Sequence, residues 1–238
     1  DGIASRGLGD VYKRQDGTPR HGRAVNPADR KGLSGMTPDT PTLDRFYPIF
    51  DHPQWLHRML PHGVKLVQMR IKDQDDATLL AMLQDALNQC RGHDCTMVVN
   101  DYWRIAIDIG ADWVHLGQED LDDADLPAIR RAGIRLGVST HDHDELERAL
   151  NLDPDYVALG PVYPTILKKM KWTEQGLDKV TEWKGLIGTT PLVGIGGMNV
   201  DRAGGVFAAG ADIVSVVTDI TLNDNPEARL QEWIRATR

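Results

Sequence analysis

From Arg45 onward, apolar residues fall into short, nearly unbroken runs, and between the runs they recur every three or four positions. Unbroken runs suit strands buried on both faces, whereas the wider spacing suits helices with one apolar stripe. The runs place eight strands at residues 45–50, 64–70, 95–100, 112–117, 134–139, 155–160, 191–196 and 212–217. Helical stretches separate them, and Gly63, Gly110, Gly133 and Gly210 stand where a helix must end before the next strand. Glycine enters the left-handed region cheaply and so stops a helix there. Eight strand–helix units in roughly 195 residues predict an α/β fold, a closed (β/α)8 barrel of the TIM type, as a single domain. An open doubly wound sheet is the alternative, and it usually has fewer strands.

Two stretches depart from the pattern. Residues Asp1 to about Pro41 show neither period and are rich in Gly, Pro and charge. Residues 1–44 are therefore expected to be a disordered or artefactual N-terminal extension, and residues 45–238 the barrel catalytic domain. The segment "DVYKRQ" at 10–15 back-translates to a sequence resembling a transposon end used in library preparation, which suggests that about the first 15 residues are an assembly artefact. The second departure is the basic connection Pro161–Lys179, after the sixth strand, expected to act as a lid.

Charge narrows the partners. With 27 basic and 35 acidic residues the formal charge is -8, which gives nucleic acid or an anionic membrane surface no overall attraction. An anion would have to be captured locally. Cys90 and Cys95 lack CxxC spacing, so a reducing, cytoplasmic setting is expected. No apolar run approaches the roughly 18 residues of a membrane span. Oligomeric state is not encoded in any feature of the chain, and a homo-oligomer is compatible with it.

In a parallel barrel the C-terminal strand ends share one face, so polar residues there can meet. Gln68, Arg70 and Lys72 alternate at the end of the second strand and point the same way if the chain is extended. An anion site explains such a row, as does a solvated edge or a salt-bridged cluster. Asp101 and Asp120 follow the adjacent third and fourth strands, a spacing that suits one magnesium ion shared with substrate phosphates. Helix capping is the alternative for each Asp taken alone. "VGIGGMN" at 193–199 and "VVTDI" at 216–220 occupy the loops after strands seven and eight, where barrels commonly bind phosphate. His115, His141 and His143 have no metal spacing and read as structural or capping residues. No G-x-S-x-G, cysteine-nucleophile or dinucleotide motif is present.

The motifs "VQMRIKD", "VVNDYWRIAIDIGADWVHLGQEDL", "GVSTH", "DYVALGPVYPT", "VGIGGM" and "GADIVSVVTDI", in this order, resemble the thiamine phosphate synthase family from about Val64 to Ile220. That resemblance implies a magnesium-dependent transferase of thiamine biosynthesis. It would couple a hydroxymethylpyrimidine diphosphate to a thiazole phosphate and release pyrophosphate. Carried over by motif, Gln68, Arg70, Lys72 and Asn100 would bind the pyrimidine diphosphate, Ser139 would contact the pyrimidine, and Lys168 would serve the diphosphate. Arg70, Lys72 and Lys168 would be the catalytic cations, and Asp101 and Asp120 the magnesium ligands. Thr165, Gly197, Val217 and Thr218 would cradle the thiazole phosphate, together with Leu167. The family usually has Thr at the position of Leu167 and Ser at that of Thr218. A thiazole tautomerase-like barrel and a non-catalytic ligand-binding paralogue are the alternatives.

Overall fold

The computed structural model describes residues 43–165 and 173–238. The N-terminal extension up to residue 42, and Leu167 and Lys168 of the expected lid, lie outside the described residues.

Eight parallel strands close into a barrel in sequence order. They are β1 (Phe46–Phe50), β2 (Leu66–Met69), β3 (Thr96–Asn100), β4 (Trp113–Leu116), β5 (Arg135–Thr140), β6 (Tyr156–Leu159), β7 (Leu192–Ile195) and β8 (Ile213–Val216). All eight fall on the apolar runs. The helices between them are α1 (Gln54–Met59), α2 (Asp76–Gly92), α3 (Trp103–Ile109), α4 (Asp120–Asp123), α5 (Leu126–Arg131), α6 (His143–Leu150), α7 (Gly176–Ile187) and α8 (Val200–Ala208). A short α9 (Thr218–Thr221) and the final α10 (Pro226–Thr237) follow β8. The connection after β6 ends where Gly176 opens α7.

Local chemistry explains the boundaries. Asp75, Asp125, Asp142, Asn199 and Asn225 accept backbone N–H groups at the starts of α2, α5, α6, α8 and α10. Each such cap contributes about 1 kcal/mol. Gly63, Gly110, Gly133 and Gly210 all take positive φ, as the sequence pattern requires.

Two apolar layers hold the barrel together. The larger lies between strands and helices; within it Trp233 of α10 stacks on Phe46 at 5.7 Å, pinning the last helix to the first strand. The smaller fills the barrel interior with Tyr47, Leu66, Val98, Trp113, Tyr156, Ala158, Val193 and Ile213. Side chains alternate along a strand, so two residues further on the chain again faces inward. At that height stand Gln68, Asn100, His115 and Ser215, all buried. The interior thus turns from apolar to polar toward the C-terminal strand ends.

Candidate active site

Asp101 follows β3 in a three-residue turn. Tyr102 N–H donates to Asn100 O at 2.9 Å, Asp101 itself donates to His115 O at 2.9 Å, and its φ is 66°. An i to i+2 bond about a residue of positive φ is the strained form of γ-turn, and such backbone costs on the order of 1–3 kcal/mol. The capping alternative fails here, because α3 begins with no side-chain cap. The Asp101 carboxylate instead pairs with Lys72 Nζ.

Asp120 opens α4 and accepts the Gly117 N–H at 3.0 Å, closing the turn after β4. Burial and the neighbouring charge of Asp101 raise its carboxyl above the ordinary range, and Lys72 opposes them. The two acids expected to meet therefore do so, with Lys72 beside them. Arg70 is exposed at the end of β2 and near enough to act on His115. Asn100, at the end of β3, is buried with its Nδ2 donor unpartnered among the described residues. No group of three or more His, Cys, Asp or Glu side chains able to hold a metal exists among the described residues. Two carboxylates still suit magnesium, a hard cation that takes oxygen donors and usually completes its shell with phosphate oxygens and water.

Beneath these charges runs a buried polar chain. Gln68 Nε2 donates to the Tyr47 hydroxyl at 2.9 Å, and the Tyr47 and Tyr156 hydroxyls lie 3.0 Å apart. Tyr156 Oη meets His115 Nδ1 at 2.8 Å, and His115 Nε2 meets Ser139 Oγ at 2.8 Å. Burial, with Arg70 reinforcing it and Asp101 opposing it, pulls His115 down to about 4, so the imidazole is neutral near pH 7. Burial raises both phenols well above their usual range and keeps them protonated. Gln68 and Ser139, expected from the sequence, are thus the two ends of a chain whose middle members were not singled out for chemistry. Tyr47, Trp113, His115 and Tyr156 alternate inward like the rest of the barrel lining, which was the available signal. His115 has the structural role expected of it, but at the floor of the site.

On the other side of the opening, the loop after β7 carries Gly196 and Gly197 at φ 98° and 62°. A Cβ on Gly197 would lie 2.3 Å from Pro164 O and 2.8 Å from Tyr163 O. The glycine pair therefore admits the protein's own β6 loop on that side, rather than leaving it open to a ligand. This packing brings the backbone just before Thr165, the last described residue of that loop, onto the β7 loop. Val217 and Thr218 begin α9, the short extra helix after the eighth strand, and both are partly buried. Asp219 anchors that helix: it accepts Arg229 Nε at 2.8 Å and Trp233 Nε1 at 2.8 Å from α10. At the entrance to α6, Asp142 is the cap, His141 is held by Glu145, and His143 contacts Glu182 on α7.

A (β/α)8 barrel with ionisable groups converging on its C-terminal strand ends belongs to the class of barrel enzymes that work at that face. Comparison with known proteins narrows the class. The family described as thiamine monophosphate synthase matches residues 46–220. A thiamine-phosphate synthase from Rhizobium etli is 55% identical over 195 residues, covering 82% of this chain and 96% of its own. One from Pectobacterium atrosepticum is 41% identical over 208 residues, covering 86% and 94%. Among solved structures, a thiamine phosphate pyrophosphorylase from Pyrococcus furiosus superposes with TM-score 0.73 at 25% identity, over 82% of this chain and 95% of the other. A 3-hexulose-6-phosphate synthase from Salmonella typhimurium, 12% identical with TM-score 0.61 over 81% and 98%, shares the fold alone. The chain belongs to the thiamine monophosphate synthase family. It is accordingly an enzyme, a transferase of thiamine biosynthesis. No helix among the described residues is long and apolar enough to cross a membrane.

Proposed function

We propose that the protein joins 4-amino-2-methyl-5-hydroxymethylpyrimidine diphosphate to 4-methyl-5-(2-hydroxyethyl)thiazole phosphate, releasing pyrophosphate in a magnesium-dependent, dissociative substitution. The observation that carries this reading is the acid pair Asp101 and Asp120 beside Lys72, with the Asp101 backbone left-handed and the Asp120 carboxyl raised by burial and by its neighbour Asp101. Such a cluster is costly when empty and suits a polyanion delivered with a hard cation.

Asp101 and Asp120 would hold magnesium, which when bound would offset charge on the diphosphate. The chain's own groups do the rest. Lys72 is held in place by Asp101, and with Arg70 and Lys168 it would balance the negative charge growing on the leaving group. A single well-placed donor of this kind is worth roughly 3 kcal/mol in the transition state. The Nδ2 of buried Asn100, without a partner among the described residues, would donate to the same anion. Gln68 and Ser139 would orient the pyrimidine, whose amino group helps spread positive charge from the reacting carbon. No general base is needed, because the thiazole nitrogen attacks with a free lone pair. The thiazole phosphate would sit among Thr165, Leu167, Gly197, Val217 and Thr218, a reading supported by the common use of this corner of barrels for phosphate. Closure of the connection after β6 would exclude water. Free Cys90 and Cys95 agree with a cytoplasmic setting, and a homo-oligomer is compatible with the reading.

Incubation with both substrates and magnesium should release pyrophosphate in equal amount to thiamine phosphate. Turnover of the thiazole without pyrophosphate release would favour a tautomerase, and binding without any release a non-catalytic paralogue.

A further inference from the structure

We propose that Arg202 is a positioning residue for the thiazole phosphate: it holds a peptide of the loop after β7 so that a backbone N–H, not a carbonyl, faces that anion. The proposal rests on the reading above that Gly197, Val217 and Thr218 cradle the phosphate. Arg202 acts through the Gly197 peptide and need not touch the ligand.

The argument follows the two peptides of the glycine pair. Both are trans, so in each the carbonyl and the N–H point opposite ways. Gly196 O accepts the Tyr163 N–H at 3.1 Å, a donor from the loop after β6. The N–H of that peptide belongs to Gly197 and therefore points away from β6. Because β7 lies between β6 and β8, it points toward β8, after which Val217 and Thr218 stand. Arg202 Nη1, in the first turn of α8, donates to Gly197 O. The N–H of this second peptide belongs to Met198 and therefore points away from α8, toward the barrel axis. Neither N–H has an acceptor among the described residues. Successive N–H groups aimed into one hollow make an anion-binding nest. Glycine accepts either sign of φ, so nothing in Gly197 itself stops its peptide from flipping and presenting the carbonyl oxygen to phosphate. The guanidinium supplies that restraint.

Arg202 is itself held. Asn199 caps α8 by accepting the Arg202 N–H at 3.0 Å, which sets the turn from which the side chain reaches back to Gly197. The guanidinium lies over the Tyr163 ring, 4.5 Å from its centre. That ring runs along α8, with its hydroxyl 3.8 Å from where a Gly205 Cβ would stand. One side chain thus ties the loops after β6 and β7 to α8 beside the phosphate corner.

The test measures KM for each substrate, with the other saturating, in the wild type, Arg202→Met and Arg202→Lys. Methionine keeps much of the stem and removes the donor, whereas lysine keeps a charged donor without the planar fork. Neither KM depends on the folded fraction, so partial unfolding of a variant does not blur the result. Losing a hydrogen bond from a charged donor, Arg202→Met should raise the thiazole phosphate KM about tenfold or more while the pyrimidine diphosphate KM stays within about twofold. Arg202→Lys should fall between Arg202→Met and the wild type. An unchanged thiazole phosphate KM in Arg202→Met, or an equal rise in both KM values, would overturn the positioning role while leaving the proposed reaction intact. Failure of the wild type to release pyrophosphate from the two substrates would overturn the reading of the site, and the positioning role with it.

Discussion

Aspartates stand at both ends of the barrel strands, and their surroundings differ sharply. At the N-terminal end, Asp155 accepts Leu136 N–H at 2.7 Å and Arg130 Nη1 at 2.9 Å, and Asp212 accepts Leu192 N–H at 2.8 Å and Lys184 Nζ at 2.8 Å. Each carboxylate bridges a strand to a helix, and its hydrogen bonds come from neighbours it also locks in place. At the C-terminal end, Asp101 sits on a left-handed backbone, Asp120 is pushed toward its neutral form, and nearby Asn100 has a buried donor without a partner among the described residues. One end is satisfied and contributes stability. The other sets two acids side by side with Lys72 as their cation, an arrangement that suits a ligand more than stability.

The contrast can be broken most strongly at Asp101. Asp101→Gly keeps the turn, because glycine accepts φ 66° without strain, and removes the carboxylate. Pyrophosphate release should fall on the order of a hundredfold or more, with a weakened magnesium response, while the thermal midpoint stays level or rises. A midpoint several degrees lower, or an unchanged magnesium response, would contradict the assignment.

Next in size is the pH dependence of folding. The unfolded His115 titrates near the ordinary histidine value of 6.5 and the folded residue at about 4. Between those values the unfolded chain binds a proton that the native chain does not, so stability is intact above the upper value and is lost as pH falls toward the lower. The loss should total about 3 kcal/mol for this group. Denaturant unfolding between pH 7 and 4 checks this, with His115→Asn showing a correspondingly shallower decline. Smallest is the stabilising end: Asp212→Ala should cost about 2 kcal/mol through the Leu192 N–H and Lys184 it abandons, with kcat per folded molecule unchanged.

The barrel was legible because its strands are buried on both faces and its helices carry explicit stops: all eight apolar runs became strands, and the four helix-ending glycines took positive φ. Part of the site was legible for a related reason. Alternation put Gln68 inside the barrel, and adjacent strands brought Asp101 and Asp120 together. What the chain did not announce was anything that depends on contact across the interior. Tyr47 and Tyr156 lie 109 positions apart, and each by itself reads as an aromatic core residue. His115 was given no chemistry because a lone imidazole in a strand carries no spacing to test. Gly197 reads as open space for a ligand, yet the atoms filling one side of it come from Tyr163 and Pro164, in a different loop. The short helix α9 was missed because four residues are too few to show a period.

The claim that the acid pair at the C-terminal end serves a metal-bridged diphosphate is tested most directly by calorimetric titration of pyrophosphate into the wild type and an Asp101→Asn, Asp120→Asn double variant, each with and without magnesium. The wild type should bind at least about tenfold more tightly when magnesium is present, and the double variant should lose that gain. Equal affinity with and without magnesium in the wild type, or a gain retained by the double variant, would contradict it.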